Sequence, residues 1–387
     1  MKNPALITPS VMKWARKTAG MSVEDAATRF VVKSVAKNIT PETVKSWESG
    51  KAAPTYLQLE KIAAIYHQPI IVFYLRKPPE EDTIKSEFQF LPKVQAKSLP
   101  YQIRFLVRAA DNFRLNLYEL HRGGQNPALK KIFADIRISA SQDMKRAATK
   151  VRRYLNLSNS QQYKNDDDAF EARRNCLERH GISVFKESFE HDNFSGFCLH
   201  DPQFPIIYIN NDMPSSRQSF TLFHELAHIL MKKSGVDFRG DTTNTDEELA
   251  CNQFAGEALA PEADIKKNLP LNNASNNNAI ASLAKQYSVS QEVVLHQLRN
   301  INLIDRNFFD KKTAQLRKEQ ESQKQRHGPV NYAFKVYLYL SKSYTQAACA
   351  KYHHGLIDER QLADYLKTKV RYIDAIARFS LRDMKAD

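Results

Sequence analysis

The 387-residue chain lacks the features that would take it out of the soluble globular class. Long apolar runs are missing. The longest, Ile70 to Leu75, is far short of the roughly 20 residues a membrane helix needs, so no membrane association is expected. Lys2 is followed by no apolar stretch, so a secretion signal is not expected either. The only four cysteines, Cys176, Cys198, Cys251 and Cys349, lie far apart with no CxxC pair. That argues against a zinc ribbon and a disulfide framework, and makes a reducing cytoplasm the simplest location. There is no internal repeat of solenoid type. With 42% hydrophobic residues the chain is too apolar to be disordered, and its length allows two or three domains. What is in excess is positive charge, a net +14. A basic chain attracts polyanions, nucleic acid first, but a soluble surface can also simply be basic.

Residues 8–76 read as a compact helical unit. Pro9 can open a first helix carrying Val11, Met12, Trp14 and Ala15. Ser22 is a candidate N-cap for Val23 to Phe30. Thr40-Pro41-Glu42 starts a third helix that Gly50 would end, and Pro54-Thr55 starts another through Leu59, Ile62, Ala63 and Tyr66. Lys77 to Asp82 reads as a boundary linker. Residues 100–155 have a helical pattern and are strongly basic around Lys145 to Arg153; a sensor, a nucleic-acid surface and plain scaffold all fit them. Ser158 to Asp168 reads as loop, and Ala169 to His180 as a helix ended by Gly181.

The period then changes. Ile182 to Phe185, Gly196 to Leu199 and Pro205 to Ile209 read as three short strands. A helix from about Arg217 to Met231, with a serine of Pro214-Ser215-Ser216 as N-cap, is followed by a polar loop from Asp237 to Asp246. A further helix runs from Asp246 to Leu259 and stops at Pro261. Ile280 to Leu303 reads as helix–turn–helix with its turn at Tyr287 to Ser290. The charged stretch Arg306 to Arg326 is expected to stand partly free of the core, before amphipathic helical pattern returns over 330–379. The division predicted is 1–78, 79–168, 169–305 and 306–387.

The chemistry concentrates at residues 224–228, His-Glu-Leu-Ala-His. On a helix, positions i and i+4 project from one face, so His224 and His228 can grip one metal ion. Glu225 sits where it can reach a water at the metal's open position, and is the candidate general base. The flanks, Phe220, Leu222, Phe223, Leu226, Ala227, Ile229 and Leu230, are apolar, and polar groups inside such a stretch need a partner. A catalytic zinc has three protein ligands and one open position. Glu248, 20 residues after His228 on the next helix, is the candidate third ligand, and Asn252, one turn on, is placed to orient an imidazole. Thr245 to Glu248 is also a capping box with Glu248 at N3, and Glu247 is the fallback ligand. Cys251, among Leu249, Phe254 and Ala255, reads as a small core residue. Tyr208, His200 and Arg239 are weak candidates for an oxyanion donor.

The stretch Phe220 to Leu230 resembles the metallopeptidase helix of the ImmA/IrrE family. Glu248-Leu-Ala-Cys-Asn252-Gln-Phe254-Ala255, then Leu259-Ala-Pro261, resembles that family's second motif, with Cys251 where alanine is usual. Residues 8–76 resemble an XRE-type helix-turn-helix, through Arg16, Trp47-Glu48-Ser49-Gly50 and Pro54-Thr55. The resemblance implies an α+β, mostly helical chain. Its parts would be an N-terminal helix-turn-helix bundle, a zincin-like peptidase domain with a small sheet, and a helical C-terminal region. It further implies Zn2+ and a protein substrate, a repressor-type regulator in a stress, phage or mobile-element circuit. Double-stranded DNA would be a second partner, and an oligomer is compatible with it. The recognition helix would present Thr40, Thr43, Lys45 and Ser46. Against DNA docking, Glu42 opposes phosphate, Lys45 is that helix's only cation, and Val31 to Ile39 lengthens the usual turn. A protein-interaction or dimerisation module is the competing reading. The whole-chain alternative is a DNA-binding regulator whose peptidase-like domain senses a partner without cutting it.

Overall fold

The computed structural model describes residues 5–32, 39–66, 68–79, 100–121, 136, 138–157, 163–189, 194–238, 246–269, 274–322 and 331–384. The architecture is α+β and mostly helical, and the chain divides into two compact units, residues 1–109 and 110–387. Among the described residues no helix is long and apolar enough to cross a membrane.

In the first unit, α1 (Pro9–Thr18), α2 (Val23–Val32), α3 (Pro41–Glu48) and α4 (Tyr56–Ile65) are followed by a 3-10 turn over Ile70–Tyr74. The starts follow local chemistry. Pro9 and Pro41 occupy first-turn positions, and Thr40 and Thr55 close capping boxes with Thr43 and Gln58. Gly50, at φ +76°, supplies the left-handed residue that ends α3. Met12, Phe30, Val44, Trp47, Ile62, Tyr66 and Phe73 form the core. Arg16 ties α1 to α3 by a two-pronged bond to Glu48, at 2.6 and 3.0 Å, and donates to the Met21 carbonyl at 2.6 Å.

The second unit is built on a four-stranded sheet of order β1-β3-β2-β4. Its strands are β1 (Ser183–Glu187), β2 (Phe194–Leu199), β3 (Ile206–Asn210) and β4 (Gly235–Phe238). β1 runs parallel to β3, and β2 is antiparallel to both β3 and β4. β4 corrects the expected loop at Asp237 and Phe238. Its four residues carry too short a pattern to read as a strand, and the edge of β2 imposes the pairing.

Period-2 alternation divides the sheet's side chains between two cores. Val184, Cys198, Ile207 and Ile209 join one cluster with Leu222, Phe223 and Leu226 of the helix Ser215–Leu230. Phe185, Tyr208 and Phe197 face the other way as a cross-strand row, at 6.0 and 5.1 Å between centroids. Phe113, from the helix Tyr101–Leu120, stacks on Phe185 at 4.3 Å, and Tyr344 meets Phe185 edge-on at 5.6 Å. Burial on both faces explains why the strands read as continuous apolar runs.

The remaining helices are numbered in chain order. They are α5 (Tyr101–Leu120), α6 (Met144–Tyr154), α7 (Asp166–Arg179), α8 (Ser215–Leu230), α9 (Asp246–Leu259), α10 (Glu262–Asn268), α11 (Asn277–Tyr287) and α12 (Gln291–Asn300). Then come α13 (Arg306–Ser322), α14 (Tyr332–Tyr339), α15 (Lys342–His353), α16 (Glu359–Tyr365) and α17 (Ile373–Met384). α7 starts three residues before the expected Ala169, because Asn165 caps it and Asp166 to Asp168 suit its N-terminal dipole. Pro214, not a serine, is the N-cap of α8. α13 is not free of the core where it is described, since Phe309 and Leu316 are buried in the main cluster; 323–330 lie outside the described residues.

Two arginine-centred systems help hold this unit together, one buried and one half-buried. Arg174 of α7, at 0% exposure, donates to the carbonyls of Val184 (2.9 Å), Leu338 (2.8 Å) and Leu340 (2.5 Å). Its neighbour Glu178 accepts from the Ser343 backbone at 3.0 Å, so α7, β1 and the α14–α15 turn are locked together. On the other side α6 packs Met144, Ala147, Ala148 and Val151 inward beside α9. There Arg152 donates to the Ala258 carbonyl, and Lys145 pairs with Glu262 at 2.5 Å. This face of the basic helix is scaffold for α9.

Candidate metal centre

α8 and α9 carry the site. α8 is pressed against β2, where Gly196 makes the approach possible. A Cβ there would meet Thr221 Cγ2 at 2.6 Å and the Tyr208 carbonyl oxygen at 2.8 Å. One turn on, His224 and His228 are buried on the same helix face with their Nε2 atoms 3.3 Å apart. α9 brings Glu248 to both: its carboxylate oxygens lie 3.2 Å from His224 Nε2 and 3.4 Å from His228 Nε2.

Those three separations test whether a metal fits. With metal–nitrogen and metal–oxygen bonds of about 2.0–2.2 Å, tetrahedral donors stand about 3.3–3.6 Å apart. The separations of 3.2, 3.3 and 3.4 Å are of that size, with Glu248 Oε2 against His224 and Oε1 against His228, so the two imidazoles and the carboxylate could together supply three protein ligands to one ion. The ring orientation agrees. With its Nδ1–H donating to Asn252 Oδ1 at 3.0 Å, His224 keeps the Nε2 lone pair turned to the triangle. Glu225 is completely buried at 0% exposure. At that depth its charge is costly, which fits a proton-transfer group better than a structural one.

The electrostatics tie the three donors together. Burial works against the Glu248 carboxylate, but the hydrogen bonds and charges of His224 and His228 outweigh it and hold its pKa below the usual range. Burial likewise disfavours charged His228, and Cys251, Glu247 and Glu248 overcome it, raising its pKa well above the ordinary value.

The rival roles can now be placed. Glu248 faces the imidazoles; Thr245, the cap of the alternative reading, lies outside the described residues. Glu247 is turned to Lys233 and approaches His228 at Nδ1 (3.5 Å), so it backs the imidazole and does not complete the triangle. Cys251 is the buried core residue expected, at 0% exposure in the main cluster, but sequence reasoning missed that its thiol lies with the donor atoms of both histidines within 4.8 Å of one another. Its i+3 spacing from Glu248 was the available signal. Burial above all pushes that thiol up, with Glu248 and Glu225 adding to it against the pull of His228; a protonated thiol suits a neighbour better than a ligand.

Of the weak oxyanion candidates, Tyr208 is stacked in the aromatic row, away from the α8-facing side of the sheet. The His200 backbone N–H donates to Ser234 Oγ just past the end of β2, and Arg239 lies outside the described residues. In the first unit Thr40 and Thr43 bond each other across the start of α3, and Ser46 donates to the Thr43 carbonyl at 2.7 Å. Of the four helix-turn-helix candidates, Lys45 is the exposed cation. Most of the lengthened turn, residues 33–38, lies outside the described residues.

An HExxH-type helix against a small mixed sheet, with a carboxylate delivered by the next helix, defines a metallopeptidase-type centre. In agreement, residues 177–299 match the IrrE N-terminal-like domain of the peptidase M78 family. The chain is also 30% identical over 106 residues to the radiation response metalloprotease IrrE of Deinococcus deserti. That likeness covers 26% of this chain and spans 37% of the relative's length. No solved structure matches the chain.

Proposed function

We propose that this protein is a zinc-dependent endopeptidase whose ligands are His224, His228 and Glu248 and whose general base is Glu225. The observation that carries the reading is the Glu248 carboxylate set against the Nε2 atoms of both His224 and His228, beside the buried carboxylate of Glu225. A structural zinc would be closed by four ligands. Zinc would supply a Lewis acid at that position, acidifying water and polarising a peptide carbonyl. Glu225 takes the proton of the attacking water and passes it to the leaving amine. Asn252 keeps His224 in the tautomer that faces the triangle, and Glu247 backs His228.

The substrate is read as a repressor-type regulatory protein. Support comes from the motif resemblance and from the relative, which is named a radiation response metalloprotease. The first unit, a basic helical bundle, is read as the module that brings the enzyme to that regulator or to DNA.

Glu225→Gln tests the assignment. It should keep about one zinc per chain by elemental mass spectrometry and lower turnover about 100- to 10,000-fold, the usual range for a general base. A Glu225→Gln chain that keeps full biological activity would instead support the regulator that senses without cutting.

A further inference from the structure

Beside the donor triangle is a cavity of about 410 Å3 walled by α8, α9 and α12. That falls in the range of small-ligand sites, roughly 300–1,000 Å3. Cavity and metal centre share side chains. Asn252 lines the cavity and holds His224, Leu249 lines it and follows Glu248, and Phe220 lines it with its ring 6.3 Å from that of His224. Whatever fills the cavity therefore lies against the metal ligands' immediate neighbours.

Its lining indicates what it takes. Phe220, Leu249 and Val293 supply an apolar wall, while the rest of the lining apart from Gly256, including Ser290, His296, Gln297 and Asn300 on the α12 side, is polar. Leu249 is 52% exposed; one open leucine means little, but here it continues a concave apolar surface. Gly256 keeps the floor clear and the helices close, since a Cβ there would come within 3.1 Å of Gln297 Oε1 on α12. The charged residues of the rim, Arg217 and Glu292, have opposite signs and give no net charge to select an acidic or basic group. Asn252 and Gln253 are exposed amides at the same wall, able to bond a peptide backbone in either direction.

We infer that this cavity is a substrate subsite. It receives one bulky apolar side chain, aliphatic or aromatic, of a peptide whose backbone crosses the His224–His228–Glu248 triangle. The inference rests on the peptidase reading above and adds to it the side-chain preference.

The test uses the full chain loaded with zinc and four probes by titration calorimetry: acetohydroxamate and the hydroxamates of N-acetyl-leucine, N-acetyl-lysine and N-acetyl-aspartate. The hydroxamate anchors each probe at the metal, and the side chain reports on the cavity. The leucine probe should bind at least tenfold tighter than the other three. Gln253→Trp, which fills the cavity mouth, should erase the leucine probe's advantage over acetohydroxamate while the chain still holds about one zinc. Equal affinity for all four probes overturns the subsite. A lysine or aspartate preference overturns its apolar character, and a leucine preference that survives Gln253→Trp overturns its location. Failure of every hydroxamate to bind a chain that holds one zinc would strike the open coordination position, and with it the peptidase reading itself.

Discussion

Asn252→Ala isolates the bond that aims His224. In the folded chain His224 Nδ1 and Asn252 Oδ1 are 3.0 Å apart, and Asn252 is not a member of the donor triangle. Removing the amide leaves all three ligands in place but frees the imidazole to rotate and to carry its proton on Nε2, where it cannot coordinate. Partners of this kind change metal affinity about 10- to 100-fold, or about 1.4–2.7 kcal/mol. Asn252 is exposed and no core contact is lost, so the melting temperature of the metal-free chain should barely change. Competition against a chromogenic zinc chelator at fixed pH reads the affinity directly. Asn252→Asp, which keeps an acceptor at the same reach, should recover most of it. An Asn252→Ala chain that binds zinc within threefold of the wild type would refute the argument that this bond sets the tautomer.

The other predictions concern the scaffold. Gly196→Ala puts a methyl group against a backbone oxygen at 2.8 Å as well as Thr221, so it should cost about 1–3 kcal/mol by urea unfolding and loosen the α8–β2 contact. Arg174→Met leaves Glu178 buried without its cation and three carbonyls without their donor; a loss of about 3–5 kcal/mol is expected, read as a lower thermal midpoint. Asp201 accepts from Arg114, Tyr118 and the backbone of Gln203 and Phe204. Burial opposes its charge, but these bonds prevail and lower its pKa. Its stabilisation is therefore complete above the unfolded-state value, about 3.9, and is lost as pH falls through the lower folded value. Asp201→Asn should be less stable at pH 7 and show a flatter acid limb below about pH 4 in a series of thermal melts.

What could be read from the chain alone is what depends on near neighbours along it. The His224–Glu225–His228 spacing specifies a shared helix face wherever the helix lies. The starts at Thr40-Pro41 and Thr55 are local too, because each cap bonds residues within the next turn. Three strands were legible from their apolar runs, whereas β4 was not, because its partner β2 is distant in sequence. Long-range contact alone decided the rest. Glu248 can cap a helix or hold a metal, and only the packing of α9 beside α8 turns it to the imidazoles. The same packing places Cys251 beside both histidines and opens the cavity beside Phe220. Arg174 looked like one charge among many until the fold buried it against carbonyls more than 160 residues away, where a guanidinium persists only if its donors are met.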